Sequence, residues 1–341
     1  MHRLVALLTC LELSRASAGG ACGRAPARAG AATAAPGEWV VAFEDHFEGD
    51  ALNSSNWTPS NFSAVVSQYD GHDALFIADR VSVGGGLLTL TTVWDPRSLD
   101  GVSYNFTSAW VDSQHKRNMT RGRFEASMRM PSANATGAWP AWWLLPEGSC
   151  WPVGTEIDII EYYVGEGHFQ HSRTDNPAQM SSSFHYGYSC GADLYHYPND
   201  TAWWPSGDWD PNWPIIDFAA NFHTFGVEVN DTAIRFYVQN STDAPGDASN
   251  TIFTVEAPAL CVTDPGFSWG SSPYMPWQPL YGILNVAMNR GDASLEWWMQ
   301  NNATTLVDWV KFWQFVPSDD EGGSVVGDAG APCEDVAVRA S

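Results

Sequence analysis

The sequence predicts an all-β fold, a two-sheet β-sandwich, on three observations. Short runs of alternating apolar, β-branched and aromatic residues recur between turns rich in Gly, Pro and Asn. No long segment shows the 3.6-residue period of an amphipathic helix. The chain has 341 residues, is 44% hydrophobic and carries 18 Trp, enough apolar material for one large core. Many short strands around one core indicate two packed sheets.

Five runs are the clearest strand candidates. They are Leu87–Thr92, Arg123–Met130, Phe222–Val229, Ile234–Val238 and Leu306–Phe315. Asn230 and Asp231 separate the third run from the fourth, and this dipeptide favours a tight turn. We therefore expect the third and fourth runs to pair as a hairpin.

The first 18 residues are typical of a secretory signal peptide. His2 and Arg3 precede the apolar run Leu4–Leu13, and Ala16-Ser17-Ala18 matches a cleavage site. Sequons of the form N-x-S/T support passage through a glycosylating pathway. They begin at Asn53, Asn56, Asn61, Asn105, Asn118, Asn134, Asn199, Asn230, Asn240 and Asn302. We expect a secreted, extracellular glycoprotein.

The rest of the chain divides by composition into three parts. Residues 19–35 are rich in Ala, Gly, Arg and Pro, which predicts a flexible lead-in. Residues 36–316 are expected to form one domain, without internal repeats. Residues 317–341 are acidic and glycine-rich, which predicts a disordered tail.

The cysteines suit an oxidising compartment. Once Cys10 leaves with the leader, an odd number remains, which predicts two disulfides and one thiol with the pairing left open. These residues are Cys22, Cys150, Cys190, Cys261 and Cys333. No Cys/His spacing is typical of a zinc site.

The charge balance excludes several classes of partner. Lys and Arg total 16 against 39 Asp and Glu, a formal net charge of -23. Such a field repels nucleic acid and anionic lipid and disfavours sulfated or uronic polymers. We therefore expect no nucleic-acid partner, no membrane association after signal cleavage, and a neutral ligand.

The densest chemical signal lies in residues 154–161, Gly-Thr-Glu-Ile-Asp-Ile-Ile-Glu. Alternate side chains of a strand share a face, so Glu156 and Asp158 would lie together while Glu161 would point away. A β-bulge between Asp158 and Glu161 would return Glu161 to the face of the other two. Carboxylates so close repel one another, which favours a working site. A solvated acidic edge strand is the alternative.

Paired carboxyl groups suit retaining glycoside hydrolysis. That reaction needs a carboxylate nucleophile and a carboxylic acid about 5–5.5 Å apart across the scissile bond. A third carboxylate beside the nucleophile hydrogen-bonds it and keeps the pKa of the acid high by like-charge repulsion.

Tryptophans flank the acids in the sequence. Indole rings stack on the C–H faces of sugars, so we predict that Trp139, Trp143 and Trp151 line a cleft. Period-two alternation puts Trp142 on the opposite, core-facing side. Burial of all of them in the core is the alternative.

Motifs in the expected order resemble glycoside hydrolase family 16, specifically its laminarinase-like (endo-β-1,3-glucanase) branch, over most of residues 38–316. They are F-E-D-H-F-E-G at 43–49, R-G-R-F-E-A at 121–126, G-A-W-P-A-W-W-L-L-P at 137–146, the acidic strand at 154–161, F-H-T-F-G-V-E at 222–228, L-N-V-A at 284–287 and V-D-W-V at 307–310. The laminarinase-like branch carries the bulged acidic strand, whereas the lichenase-like branch lacks the extra residue.

The resemblance implies a jelly-roll, concanavalin A-like β-sandwich with an open substrate cleft. It makes Glu156 the nucleophile, Asp158 its assistant and Glu161 the acid/base. His185 matches a cleft histidine of the next strand, with a buried or turn histidine as the alternative. The reaction requires no cofactor, but many members bind a structural calcium between the terminal segments, to which Asp308 could contribute.

The chain departs from the family pattern at three places. Thr155 replaces the usual Gly before the nucleophile, which we expect to matter little. Asn289-Arg290 replace a Gly-Gly after the L-N-x-A strand. Residues 165–179 and 195–213 form long insertions, which we expect to overhang the cleft.

Three functions stay open at this point. The first is endo-cleavage of internal β-1,3 or mixed β-1,3/1,4 bonds of a neutral β-glucan, by a monomeric retaining hydrolase. The second is a transglycosylase that remodels wall or storage β-glucan with the same residues. The third, a non-catalytic β-glucan-binding lectin, is disfavoured because Glu156, Asp158 and Glu161 are all present.

Overall fold

Strands make up most of the described residues, as the alternating runs predict. The computed structural model describes residues 37–63, 73–99, 101–148, 151, 155–165, 178–185, 201–204, 217–230, 233–240, 251–256, 278–289 and 294–318. The predicted leader, lead-in, all six cysteines and nearly all of the predicted tail lie outside these residues, as do Arg290 and most of both insertions. The division into those segments therefore stays a prediction.

The strands are numbered in chain order. They are β1 (Gly37–Asp45), β2 (Thr58–Pro59), β3 (Phe62–Ser63), β4 (Ala74–Phe76), β5 (Val81–Gly84), β6 (Leu87–Leu99), β7 (Val102–Ser108), β8 (Trp110–Asp112), β9 (Asn118–Met119), β10 (Gly122–Arg129), β11 (Ala138–Pro146), β12 (Glu156–Val164), β13 (Ala178–His185), β14 (Thr201–Trp204), β15 (His223–Val229), β16 (Ala233–Asn240), β17 (Thr251–Glu256), β18 (Leu280–Met288) and β19 (Ala303–Pro317). A 3-10 turn spans Ala78–Arg80, and one short helix, α1, spans Leu295–Trp298.

The strands form two sheets, which confirms the predicted sandwich. The back sheet has the order β17-β16-β15-β10-β19-β6-β7-β4-β3, with β1 beside β19 and β5 beside β6. The front sheet has the order β14-β13-β12-β11-β18-β8-β2, with β9 beside β18. Neighbours that are far apart in the chain, such as β10 and β19, pair antiparallel. In the front sheet β12 lies between its chain neighbours β11 and β13, away from the sheet edges.

The core lies between the two sheets. The back sheet contributes alternate residues such as Phe124 and Phe312, and the front sheet contributes Trp142, Ile157 and Leu284, all of them almost fully buried. Each such side chain stabilises the fold by about 1.5–3 kcal/mol relative to exposure. Only one face of each front-sheet strand enters the core, which leaves the other face for a site.

The predicted strands are confirmed, although their ends differ. β6 runs on to Leu99 and β19 begins at Ala303, beyond the apolar runs that identify them. β15 and β16 pair antiparallel, with Val229 opposite Ile234, as the predicted hairpin requires. The helix α1 has four residues, too few to show a helical period in the sequence. No helix in the described residues is long and apolar enough to cross a membrane.

Trp142 fixes the position of β11 against β18. Its side chain is fully buried in the core, as alternation predicts. A Cβ atom at Gly282 of β18 would lie 2.4 Å from the Trp142 ring, so only glycine leaves room for the indole. This packing anchors β11, the strand on which β12 and its acids are hydrogen-bonded.

Candidate active site

β12 contains the predicted bulge. Its register against β13 is Glu156 opposite His185, Asp158 opposite Ser183 and, after a shift, Glu161 opposite Ser181. The extra residue is absorbed by Ile159 and Ile160, which are both buried in the core. Glu161 therefore returns to the face of Glu156 and Asp158. Three carboxyl groups share the side of the front sheet that does not face the core.

His185 links two of these carboxyl groups. Its Nε2 atom lies 3.0 Å from Oδ2 of Asp158 and 3.9 Å from Oε1 of Glu156. The Ser183 hydroxyl donates a hydrogen bond to Asp158. Burial lowers the pKa of His185, but the hydrogen bond to Asp158 and the surrounding carboxylates outweigh it and raise this pKa to about 10. The imidazole is therefore positively charged at neutral pH.

Glu161 is hydrogen-bonded on both carboxyl oxygens. The indole N–H of Trp139 donates to Oε1 at 3.1 Å, and the Ser181 hydroxyl donates to Oε2 at 3.4 Å. Burial, followed by the negative charge of Asp158, raises the pKa of Glu161 to about 8. At neutral pH this carboxyl group is mainly protonated, which is the state a general acid needs.

Glu156 shares the same field. Burial and the charge of Asp158 raise its pKa well above the ordinary value, while His185 opposes the rise. Burial and the charge of Asp158 therefore favour the protonated form of both glutamates, while the positive charge of His185 favours the ionised form of both. Glycoside hydrolysis by double displacement requires one carboxylate and one acid at such a pair.

The predicted tryptophans lie on the face of the acids. Trp143 donates its N–H to Oδ1 of Asn285 at 2.7 Å and packs edge-on against Trp110, with ring centroids 5.3 Å apart. Trp151 lies beside Glu156. Trp139 donates its indole N–H to Glu161, and stacking of its ring on a sugar stays a prediction.

A second apolar cluster covers this face next to the acids. It consists of Phe76, Trp110, Tyr281 and Ile283, with Trp143 and Leu145 packed against it. The cluster is separate from the core. It lies beside the carboxyl groups because Trp143, which packs against it, is the strand partner of Asp158. Aromatic surface beside paired carboxyls suits a neutral sugar polymer.

Comparison with known proteins identifies the family. The family model for glycosyl hydrolases family 16 matches residues 70–251, more than half of the chain. The chain belongs to this family. One relative, a glucan endo-1,3-beta-glucosidase of Cryptopygus antarcticus, is 26% identical over 299 residues, covering 82% of this chain and 93% of the relative. A beta-glucanase of Rhodothermus marinus is 28% identical over 250 residues, covering 70% and 71%.

Solved structures of family 16 proteins share the fold. The laminarinase catalytic domain from Thermotoga maritima MSB8 aligns with a TM-score of 0.60 and 19% identity, covering 81% of this chain and 98% of that one. The endo-beta-1,3-glucanase from Pyrococcus furiosus aligns with a TM-score of 0.58 and 21% identity, covering 83% and 97%. At such identities the likeness concerns the fold, which is the jelly-roll β-sandwich implied by the family resemblance.

Several side chains of the site are missing from the sequence-based prediction. Ser181 and Ser183 stand four and two residues before His185, so alternation along β13 identifies them once His185 is placed in the cleft. Tyr163 follows Glu161 by two residues and shares its face by the same rule. Trp110 carries no such signal, because its strand reaches the site only through long-range pairing with β18.

Thr155 is not the neutral replacement that we expect from the sequence. Its φ is 72°, in the left-handed region that glycine adopts without cost, and its side chain is 3% exposed. Its hydroxyl has no hydrogen-bond partner within the part of the chain that the structure describes. A β-branched residue in this conformation is strained by roughly 1–2 kcal/mol, immediately before Glu156.

Two groups bear on metal binding. Glu156, Asp158 and His185 hold one ligand-type atom each within 4.8 Å of one another, and in this arrangement Nε2 of His185 and Oδ2 of Asp158 form an ion pair at 3.0 Å. Asp308 belongs to no comparable group within the described ranges. The described residues thus provide no ligand set around Asp308, and structural calcium stays a prediction.

Proposed function

We propose that this family 16 enzyme is a secreted, retaining endo-β-glucanase that cleaves internal β-1,3, or mixed β-1,3/1,4, glucosidic bonds. The observation that carries the proposal is the bulged strand, which sets Glu156, Asp158 and Glu161 on one face beside His185. The names of the two relatives, a glucan endo-1,3-beta-glucosidase and a beta-glucanase, support a β-glucan as substrate.

In the first step Glu156 is the nucleophile. Its carboxylate attacks the anomeric carbon while Glu161 gives its proton to the glycosidic oxygen, so that the C–O bond breaks and a glycosyl ester of Glu156 forms. The Asp158–His185 pair supports the different protonation states that the two glutamates need. Asp158 keeps the pKa of Glu161 high, and His185 favours the ionised form of Glu156.

In the second step Glu161, now ionised, acts as a base. It takes a proton from water as the water oxygen attacks the anomeric carbon, and the ester bond to Glu156 breaks. The product keeps its anomeric configuration because the carbon is inverted twice. Glu161 regains from water the proton that it gives in the first step, so the proposed cycle closes without a cofactor.

The proposed substrate is neutral, and the protein is proposed to act as a monomer. A chain of net charge -23 with a carboxyl-rich site repels anionic polymers. The aromatic cluster around Trp110 and Trp143 offers flat apolar surface to sugar rings instead.

Secretion is part of the proposal. Among the sequon asparagines in the described residues, six are exposed: Asn53, Asn61, Asn118, Asn134, Asn240 and Asn302. Asn56 is only 6% exposed, and its amide bonds Asp45 and Arg117. A glycan there would break these bonds. Peptide mass spectrometry of protein from a eukaryotic culture medium should find Asn56 unglycosylated and at least one exposed sequon glycosylated. Protein that stays in the cell fraction with its leader intact would contradict secretion.

The decisive experiment is product analysis with a matched control. The protein, Glu156→Gln and the exposed-site variant Glu296→Gln are incubated with laminarin, mixed-linkage glucan and agarose, and products are separated by size. We expect shorter oligosaccharides from a β-glucan with the protein and with Glu296→Gln, and none with Glu156→Gln. Products longer than an added oligosaccharide would indicate transglycosylation. Binding without product from any variant would contradict the proposal.

A further inference from the structure

Tyr163 lies on the cleft face of β12 near Glu161. The adjacent Tyr162 points to the opposite face of the sheet. Tyr162 is 4% exposed and packs in the core against Phe218, with ring centroids 6.1 Å apart. Tyr163 is 7% exposed and lies on the other face, with its ring 4.7 Å from that of Trp139. A polar side chain buried this close to the acid must satisfy its hydroxyl locally.

The hydroxyl of Tyr163 contacts the acid directly. It hydrogen-bonds Glu161 and Ser181. Burial and the charge of Glu161 raise the pKa of Tyr163 well above its ordinary value, so the hydroxyl keeps its proton. Toward an ionised Glu161 it is therefore a donor, alongside the Trp139 indole N–H at 3.1 Å.

These donors act on Glu161 in the same direction as His185 and against burial and Asp158. Burial and the charge of Asp158 favour the protonated form of Glu161, whereas hydrogen bonds from Tyr163 and Ser181 favour the carboxylate. The titratable groups that face Glu161 in the described residues are Glu156, Asp158 and Tyr163 on β12 and His185 on β13. The side chains that β11 contributes on that side are uncharged, among them Trp139, Ala141 and Trp143.

Double displacement gives the two forms of Glu161 different tasks. The acid form is needed when the leaving group departs, and the carboxylate is needed when water attacks the glycosyl-enzyme. We propose, resting on the proposed function, that Tyr163 is a positioning residue that stabilises and orients the carboxylate of Glu161 and so speeds hydrolysis of the glycosyl-enzyme. Glu161 takes the proton from water, and the Tyr163 proton stays on its own oxygen.

The test compares Tyr163→Phe with Tyr162→Phe, the same chemical change on the opposite face of the same strand. The substrate is a nitrophenyl β-glucan oligosaccharide, whose good leaving group makes the first step independent of acid assistance. We expect Tyr163→Phe to lower kcat about tenfold and KM in parallel, the effect of one hydrogen bond to a charged group. A nitrophenolate burst and a glycosyl-enzyme mass should appear. Tyr162→Phe should show neither.

A second readout is the titration of Glu161 itself. With ¹³C-labelled glutamate, carboxyl NMR should give a higher pKa for Glu161 in Tyr163→Phe than in the wild type or Tyr162→Phe. Ser181→Ala removes another donor to the same carboxyl and should shift the pKa in the same direction. Circular dichroism checks that each variant is folded.

The outcomes separate this inference from the function on which it rests. A wild type that turns over, with a Tyr163→Phe variant whose Glu161 titration is unchanged and which accumulates no intermediate, overturns the role of Tyr163 alone. A fall in kcat/KM equal to the fall in kcat also overturns it, because the defect then lies in the first step. A wild type that releases no product from any glucan would contradict both the proposed function and the role of Tyr163.

Discussion

Nε2 of His185 lies 3.0 Å from Oδ2 of Asp158, and the two charged ends of this pair act oppositely on the same glutamates. The negative end raises the pKa of Glu156 and Glu161, and the positive end lowers it. Removing the negative charge and removing the positive charge should therefore shift the pH profile of the enzyme in opposite directions. This sign difference distinguishes an electrostatic role from a general loss of structure.

Asp158→Asn should move the alkaline limb of the kcat/KM profile to lower pH. This limb follows the ionisation of the general acid, Glu161. Without the charge of Asp158 the pKa of Glu161 falls below about 8. We also expect kcat to fall about 10- to 100-fold, because the acid is then less often protonated. Asp50→Asn, an exposed site in a turn, is the control. An unchanged limb in Asp158→Asn would contradict the coupling of the carboxyl groups.

His185→Asn should move the same limb to higher pH. The positive charge that lowers the pKa of Glu161 is lost, and the pKa of Glu156 rises as well. A smaller fraction of Glu156 is then ionised, so the acidic limb should also move up. Rate profiles on laminarin for this variant and Asp158→Asn, measured side by side, should shift apart. Shifts in the same direction would argue that both variants merely loosen the site.

Glu161→Ala should lose activity on glucan and regain part of it with azide. The small anion attacks the glycosyl-enzyme without a base, so it replaces the second function of Glu161 but not the first. Substrates with good leaving groups should therefore respond most strongly. NMR of the glycosyl azide should show the configuration of the substrate retained. An inverted azide would mean that Glu156 forms no covalent intermediate.

Glu161→Gln should stabilise the fold at alkaline pH. The folded-state pKa of about 8 lies above the unfolded value near 4.5, so the folded protein holds this proton more tightly. The contribution to stability is complete below the unfolded pKa and is lost as pH rises through the folded pKa. At pH 8 the amide avoids a buried charge, and we expect a gain of about 2 kcal/mol. Urea unfolding at pH 5 and pH 8 measures it; an equal gain at both would contradict the linkage.

Thr155→Gly should raise the free energy of unfolding by about 1 kcal/mol. Glycine adopts the left-handed conformation without strain, which outweighs its larger entropy in the unfolded chain. Thr155→Ala is the matched control, because it keeps the Cβ atom and hence the strain at φ 72°. Thermal unfolding should rank glycine above threonine. Equal gains from alanine and glycine would assign the effect to the buried hydroxyl.

Much of the site follows from counting residues along one strand. The spacing of Glu156, Asp158 and Glu161 predicts the bulge, and alternation predicts the core position of Trp142, because both depend on local backbone geometry. The partners of Glu161 across the sheet do not follow, since Ser181 reaches it only through the register of β13. The φ of Thr155 escapes prediction because residue type alone favours other conformations there.

The bulge in β12 also bears on how the family's two branches relate. Ile159 and Ile160 together take the place of one residue of a regular strand, and both face the core. Deleting one of them would restore regular alternation and leave Glu156, Asp158 and Glu161 on the same side, with Tyr162 and Tyr163 still divided between core and cleft. The loss of a single codon therefore changes the distance between the carboxyl groups without inverting the strand. A short mutational path links the bulged strand to the straight one.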